Sequence, residues 1–330
     1  MAKPIVLIEA GSPHPDAGPE HELLDQVAEL RIEAFDDNQR WLAALAEVTA
    51  VMVDTGHRYD ATAFAVMRRC RIISRYGIGY DNIDTEAAAA AGIWVSRVPD
   101  YGWEDVSDHA VALFFACVRN LRVNDLGVRS DAWGTAGAPS ARKMYRIKGR
   151  TLGLVGCGNI GRFVIRKLSG AGLARVLVFD PYLPAAEVAA LGAEAVDLET
   201  VLRQSDYVSV HAPLTDETHH MIGAAQLQMM RRTAILINTA RGPIIDESAL
   251  AAALTNGTIA AAGIDVFEEE PLPPSSPLIG LENTILSGHK AWLTEESREE
   301  LARKAALNVA EVLAGRPPIY PVNQPPQPRP

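Results

Sequence analysis

Short apolar runs of four to six residues alternate with longer amphipathic segments along almost the whole chain, and this pattern constrains the fold more than any other feature. Strands buried on both faces read as near-continuous apolar runs, and strands alternating with helical stretches build βα units around a parallel sheet. The fold class is therefore α/β. One series of expected strands covers 5–9, 30–34, 51–54, 72–75 and 94–96; a second begins at 151 and continues through 175–180, 207–211, 234–238, 260–266 and 284–287. Two series in 330 residues, at roughly 100 to 200 residues per domain, give two Rossmann-like or flavodoxin-like parallel-sheet domains.

Between the series, 104–122 reads as one packed helix, and 130–146 as an excursion rich in Gly, Ala, Pro and Ser. The last helix should stop near Gly315, because the proline-rich end cannot continue it; those final residues read as a loose tail. No apolar run approaches the roughly 20 residues of a membrane span, and the first apolar stretch is too short for a signal peptide, so no membrane partner and a cytoplasmic location are expected. A formal charge of −10 without a Lys/Arg-rich run argues against nucleic acid. Cys70, Cys117 and Cys157 lie too far apart for a zinc site or a disulfide framework and read as buried thiols; no metal is expected.

The segment TLGLVGCGNIGRFVIRKL carries Gly156, Gly158 and Gly161 in G-x-G-x-x-G spacing, after an expected strand and opening an expected helix. Glycines there permit a tight turn, close approach to a pyrophosphate and helix–strand packing, while the helix N-terminus offers its positive dipole end. Asn159 and Ile160 fill the fingerprint, and the next apolar run ends in Asp180. An acidic side chain there accepts hydrogen bonds from ribose hydroxyls and repels a 2′-phosphate, which favours NAD over NADP.

Further along come RYGIGYDNID, VPDYGWEDVSDHA, LINTARGPIIDESAL, AGIDVFEEEP and SGHKAWLTEES, in that order. Together these strings resemble the D-isomer-specific 2-hydroxyacid dehydrogenase family, and VPDY and AWLTEES are most similar to the branch that includes the C-terminal binding proteins. The resemblance implies a substrate domain over 1–102, an NAD-binding Rossmann domain over 103–292, and a helix and tail over 293–330 returning to the first domain. It implies an active site in an interdomain cleft and a homodimer built largely from cofactor domains.

Reducing a 2-keto acid needs a cation for its carboxylate and carbonyl, a proton donor, and a group to hold that donor. By resemblance Arg241 is the cation, His289 the acid/base and Glu270 its carboxylate partner, chosen over Glu268 and Glu269 by its position before proline. Thr239, Ala240 and Asp265 match positions lining the nicotinamide half, and His211, Ala212 and Pro213 the loop past the adenine half. Arg75 and Trp292 match substrate contacts, and the amides of Tyr76, Gly77, Ile78 and Gly79 suit a carboxylate. Gly288 and Lys290 flank His289 where the family has proline and a small or aliphatic residue; glycine should loosen the backbone there. The other histidines, His14, His21, His57, His109, His219 and His220, read as structural or exposed. The expected activity is NAD-dependent interconversion of a small or medium 2-keto acid, such as glyoxylate or hydroxypyruvate, and a D-2-hydroxy acid. The alternative is an NAD(H)-sensing, corepressor-like binding protein.

Overall fold

A computed structural model describes residues 3–9, 13, 14, 16–54, 56–130 and 142–329. They form two compact units, one of Met1–Tyr101 with Leu293–Pro330, the other of Gly102–Trp292.

The first unit holds β1 (Ile5–Glu9), β2 (Glu29–Glu33), β3 (Ala50–Val53), β4 (Ile72–Arg75) and β5 (Trp94–Ser96) in the parallel order β2-β1-β3-β4-β5, the flavodoxin-like arrangement. Aspartates start several of its helices: Asp60 accepts from the Thr62 amide at 2.8 Å and Asp84 from the Ala87 amide at 2.9 Å. Leu7, Val51, Ile73 and Val95 point one face of the sheet into a core with Trp41, Leu45 and Phe64.

The second unit holds β6 (Thr151–Val155), β7 (Arg175–Phe179), β8 (Glu194–Ala195), β9 (Tyr207–Val210), β10 (Ile235–Asn238), β11 (Ala261–Ile264) and β12 (Thr284–Leu286). All run parallel in the order β12-β11-β10-β9-β6-β7-β8. The order reverses at β6, so the crevice beyond the carboxyl ends of β6 and β9 is where such a sheet binds ligands. The two-residue, exposed β8 carries no apolar run and was not expected.

Two expectations need correction. The segment 104–122 is not one helix: Trp103–Val118 ends, Asn120 takes φ 52, and a second helix, Leu121–Arg129, begins. Apolar character carried the reading across the break, yet only the first helix is packed; its Leu113 and Cys117 lie against Gly263 of β11, whereas Leu121–Arg129 has no buried residue. The end of the chain is not a loose tail. After the helix Glu295–Leu313 and Gly315 at φ 81, it bonds along the open edge of β5: the Val322 amide donates to the Val95 carbonyl at 2.8 Å and the Arg329 amide to Gly92 at 3.1 Å. Prolines forbid a helix but not an extended strap with some of its donors turned to an edge strand. Most of the excursion expected at 130–146 lies outside the described residues. All three cysteines are buried, and burial pushes the Cys70 and Cys117 thiols up to about 12.

Candidate active site

The glycine fingerprint sits in the turn from β6 into the helix Asn159–Leu168. Gly156 has φ 85, and a Cβ on it would lie 2.6 Å from the Ala212 amide nitrogen, so neither the turn nor the contact with His211 and Ala212 admits a side chain. Nothing lies within 4 Å of a Cβ built on Gly158, which leaves the helix N-terminus open, and a Cβ on Gly161 would lie 3.0 Å from the Gly156 carbonyl oxygen. Asp180 follows β7; its carboxylate accepts from the Cys157 amide at 2.8 Å and the Tyr182 amide at 3.0 Å. A groove of about 340 Å³ is lined by Gly158, Asn159, Arg162, Asp180 and Tyr182, among others. His211 hydrogen-bonds Ser209 at 2.9 Å, and burial pushes its imidazole down to about 4, so it is neutral near pH 7. Pro213 beside it is exposed.

The NTARG loop leaves β10 under the control of Asn238. That buried amide accepts from the Ala240 N–H at 3.0 Å and donates to the Arg241 carbonyl at 3.0 Å, which fixes residues 239–241. Arg241 Nη1 donates to the Ala240 carbonyl at 2.8 Å. The buried Thr239 Oγ1 has no hydrogen-bond partner among the described residues. An open helix N-terminus, an acid at the groove and an unsatisfied buried hydroxyl together fit a dinucleotide; Gly158 and Asn159 would hold its phosphates, Asp180 its ribose, and Thr239 a polar group of its far half.

A Cβ on Gly242 would fall 1.9 Å from the Phe267 carbonyl carbon and oxygen, so the Arg241 loop lies backbone-to-backbone on the segment that leads to Glu270. That segment is tied down again: Glu268 and Glu247 each accept from the other's amide, at 3.1 and 3.3 Å respectively, and Glu268 bonds His220 at 2.7 Å. Glu270 accepts from the Phe267 amide at 2.9 Å through Oε1, and its Oε2 lies 2.7 Å from His289 Nδ1. Burial pushes the Glu270 carboxyl up, but the His289 hydrogen bond and charge, the Phe267 amide and the Arg241 charge outweigh it and hold the group below the usual carboxylate range. Glu270 is therefore an anion at neutral pH, and Nδ1 is the donor; His289 Nε2 is left for chemistry.

His289 has φ 53, a left-handed backbone uncommon outside glycine. Asp265 holds it there. Its carbonyl accepts from the His289 amide at 2.7 Å, its Oδ1 from Ser287 Oγ at 2.6 Å and the Lys290 amide at 3.0 Å, and its Oδ2 from the Ala291 amide at 2.9 Å. Asp265 is 0% exposed. The loosening expected from Gly288 is corrected by these bonds: three consecutive amides are tethered to one residue. Asp265, expected beside the nicotinamide, thus has both carboxylate oxygens engaged by the His289 turn. Sequence reasoning missed Ser287 and His109, whose Nε2 bonds Ser287 Oγ at 2.8 Å from the helix Trp103–Val118. Their separation of 178 residues leaves no local pattern to read.

In the first unit, Arg75 is buried, and its guanidinium folds onto its own loop, bonding Asp54 at 2.9 Å and the Tyr76 carbonyl. The Tyr76 amide donates to Val53 and the Gly77 amide to Arg75, at 2.8 and 3.0 Å, while among the described residues the Ile78 and Gly79 amides donate to no backbone carbonyl. The expected four-amide cradle therefore narrows to two. Trp292 is half-buried, its Cβ 3.7 Å from where Gly102 would place one.

The family profile for the D-isomer-specific 2-hydroxyacid dehydrogenase NAD-binding domain matches residues 111–291. A glyoxylate reductase of Korarchaeum cryptofilum is 44% identical over 265 residues, 80% of each chain, and one of Thermofilum pendens is 35% identical over 325 residues, 98% of this chain and 96% of the relative. The crystal structure of an NADPH-dependent glyoxylate/hydroxypyruvate reductase from Sinorhizobium meliloti, in complex with NADP and malonate, superposes with a TM-score of 0.86 at 28% identity, covering 100% of this chain and 99% of the other. The fold, the fingerprint and these likenesses together place the chain in the D-isomer-specific 2-hydroxyacid dehydrogenase family.

Proposed function

We propose that the protein reduces a small 2-keto acid, glyoxylate or hydroxypyruvate, to the corresponding 2-hydroxy acid, of D configuration where C2 is chiral, with NADH as the preferred donor. The observation that carries this reading is the 2.7 Å pair of His289 and an ionised Glu270, in the same unit as the fingerprint and beside the loop of Arg241. When bound, the dinucleotide supplies the hydride. Arg241 binds the carboxylate and polarises the carbonyl through a planar fork. His289 holds a proton on Nε2 and delivers it to the developing alkoxide, while Glu270 at Nδ1 orients the ring and stabilises its charged form. The Ile78 and Gly79 amides of the first unit are assigned a carboxylate-binding role of their own. The relatives named as glyoxylate reductases support the substrate class.

Asp180 supports NADH over NADPH, even though the similar S. meliloti enzyme is described with NADP. A homodimer and a cytoplasmic location belong to the same proposal. The competing corepressor-like reading rests on VPDY and AWLTEES alone. A panel of 2-keto acids, followed by NADH absorbance, separates the two: turnover of glyoxylate or hydroxypyruvate, with kcat/KM at least about tenfold higher for NADH than for NADPH, is expected. NADH binding without turnover of any 2-keto acid would leave the binding-protein reading standing.

A further inference from the structure

Asp180 is not the only acidic side chain that bears on the adenosine end of the site. The groove it lines also contains one arginine, Arg162, from the helix Asn159–Leu168. A guanidinium there is what a 2′-phosphate dianion would seek, since Arg binds phosphate through two parallel N–H bonds. Arg162, however, is held. Its Nη2 lies 2.7 Å from Glu187 Oε2, in the first turn of the helix Ala185–Ala190, and Glu187 is not among the groove's lining residues. With Glu187 in place, one cation serves two carboxylates near the groove, and the balance there is negative. Without it, Arg162 and Asp180 would balance, and Arg162 would be free to turn toward a phosphate.

We propose that Glu187 is a specificity-determining residue: by latching Arg162 it denies NADP(H) the one guanidinium that lines the groove beside Asp180. This rests on the reading of that groove as the site of the adenosine ribose. The latch is exposed, with side-chain accessibilities of 34% for Arg162 and 53% for Glu187. Exposed pairs are weak, so the effect should be a bias of roughly twofold to fivefold, set on top of the repulsion from Asp180. It also follows that the bias should weaken at high salt, because exposed charges are screened.

The test needs no turnover. Adenosine 5′-monophosphate and adenosine 2′,5′-bisphosphate differ only in the 2′-phosphate, and calorimetry gives both dissociation constants for the full chain. The unmodified protein should bind the monophosphate more tightly. Glu187→Ala should tighten the bisphosphate about twofold to fivefold while leaving the monophosphate nearly unmoved, and the ratio of KM for NADPH to KM for NADH should fall in parallel. The Glu187→Ala/Arg162→Gln double variant should lose that gain. A bisphosphate affinity that does not respond to Glu187→Ala overturns the proposal, and so does a gain that persists in the double variant, since Glu187 would then act by its own charge and not through Arg162. If the unmodified protein binds neither nucleotide and neither competes with NADH, the reading of the groove falls, and the latch with it. Binding of the monophosphate with an unmoved ratio sinks the latch alone.

Discussion

In the proposed reaction, the contact between Glu270 and His289 sets both where the reacting proton sits and how activity responds to pH. Because the folded protein holds the Glu270 carboxyl below its ordinary 4.5, the ion-pair contribution to stability is fully present above that value and is lost as pH falls through the lower folded value. Across the neutral range the carboxylate therefore favours the imidazolium, the form that protonates an alkoxide. Glu270→Gln removes that preference, so the alkaline limb of the kcat profile for keto-acid reduction should move to lower pH. A limb that stays in place or moves upward would remove Glu270 from its role. His289→Ala should lower kcat by roughly 10² to 10⁴ with NADH affinity nearly unchanged, as expected when only the proton donor is lost. That Glu270 and His289 meet, beside the loop of Arg241, was legible because each of the three stands in a short string of recognisable order. The support beneath His289 was not. Asp265 sits 24 residues before it, and its buried carboxylate organises amides that any sequence would supply.

At the scale of elements, most strands could be read from apolar runs, because a strand buried on both faces must be apolar throughout. What could not be read were features set by close approach and by edges: the break at Asn120, and the proline-rich end that covers β5. Gly242 belongs to this class. It reads as one glycine in NTARG, yet its absent side chain lets the Arg241 loop touch the Phe267–Glu268 peptide, and that contact sets the spacing between the arginine and Glu270. A methyl group 1.9 Å from a carbonyl cannot be absorbed by turning a side chain, so one of the two backbones must move. Gly242→Ala should destabilise the second unit by about 1 to 3 kcal/mol, the usual range for overpacking. It should also lower kcat/KM for the keto acid by at least about tenfold, since small misplacements of positioned groups are costly to rate. An unchanged melting temperature together with parental kcat/KM would show that the contact positions nothing.

At the scale of the whole molecule, the helix Leu121–Arg129 stands out because, among the described residues, none of its side chains is buried. Leu121, Leu126 and Val128 are 53%, 51% and 56% exposed, and Met144 and Tyr145, beyond the undescribed stretch, are exposed as well. Single exposed apolar residues need no explanation, but a helix that offers three and packs none of them has gained nothing from its amphipathic pattern as a monomer. Helices this short are marginal in water without tertiary packing, which argues that a second copy supplies the missing face. The proposed homodimer has this use for it. Light scattering after size exclusion should return twice the 35.6 kDa of the chain at micromolar concentration. Replacing Leu126 and Val128 with Glu puts charge where a twofold contact would bring like charge opposite, and should shift the mass toward one chain. Neither position is buried in the chain, so each unit's melting behaviour should report whether the fold survived the change. A parent that runs as a single chain, or a double variant that stays dimeric with its fold intact, would mean this helix is not the dimer contact.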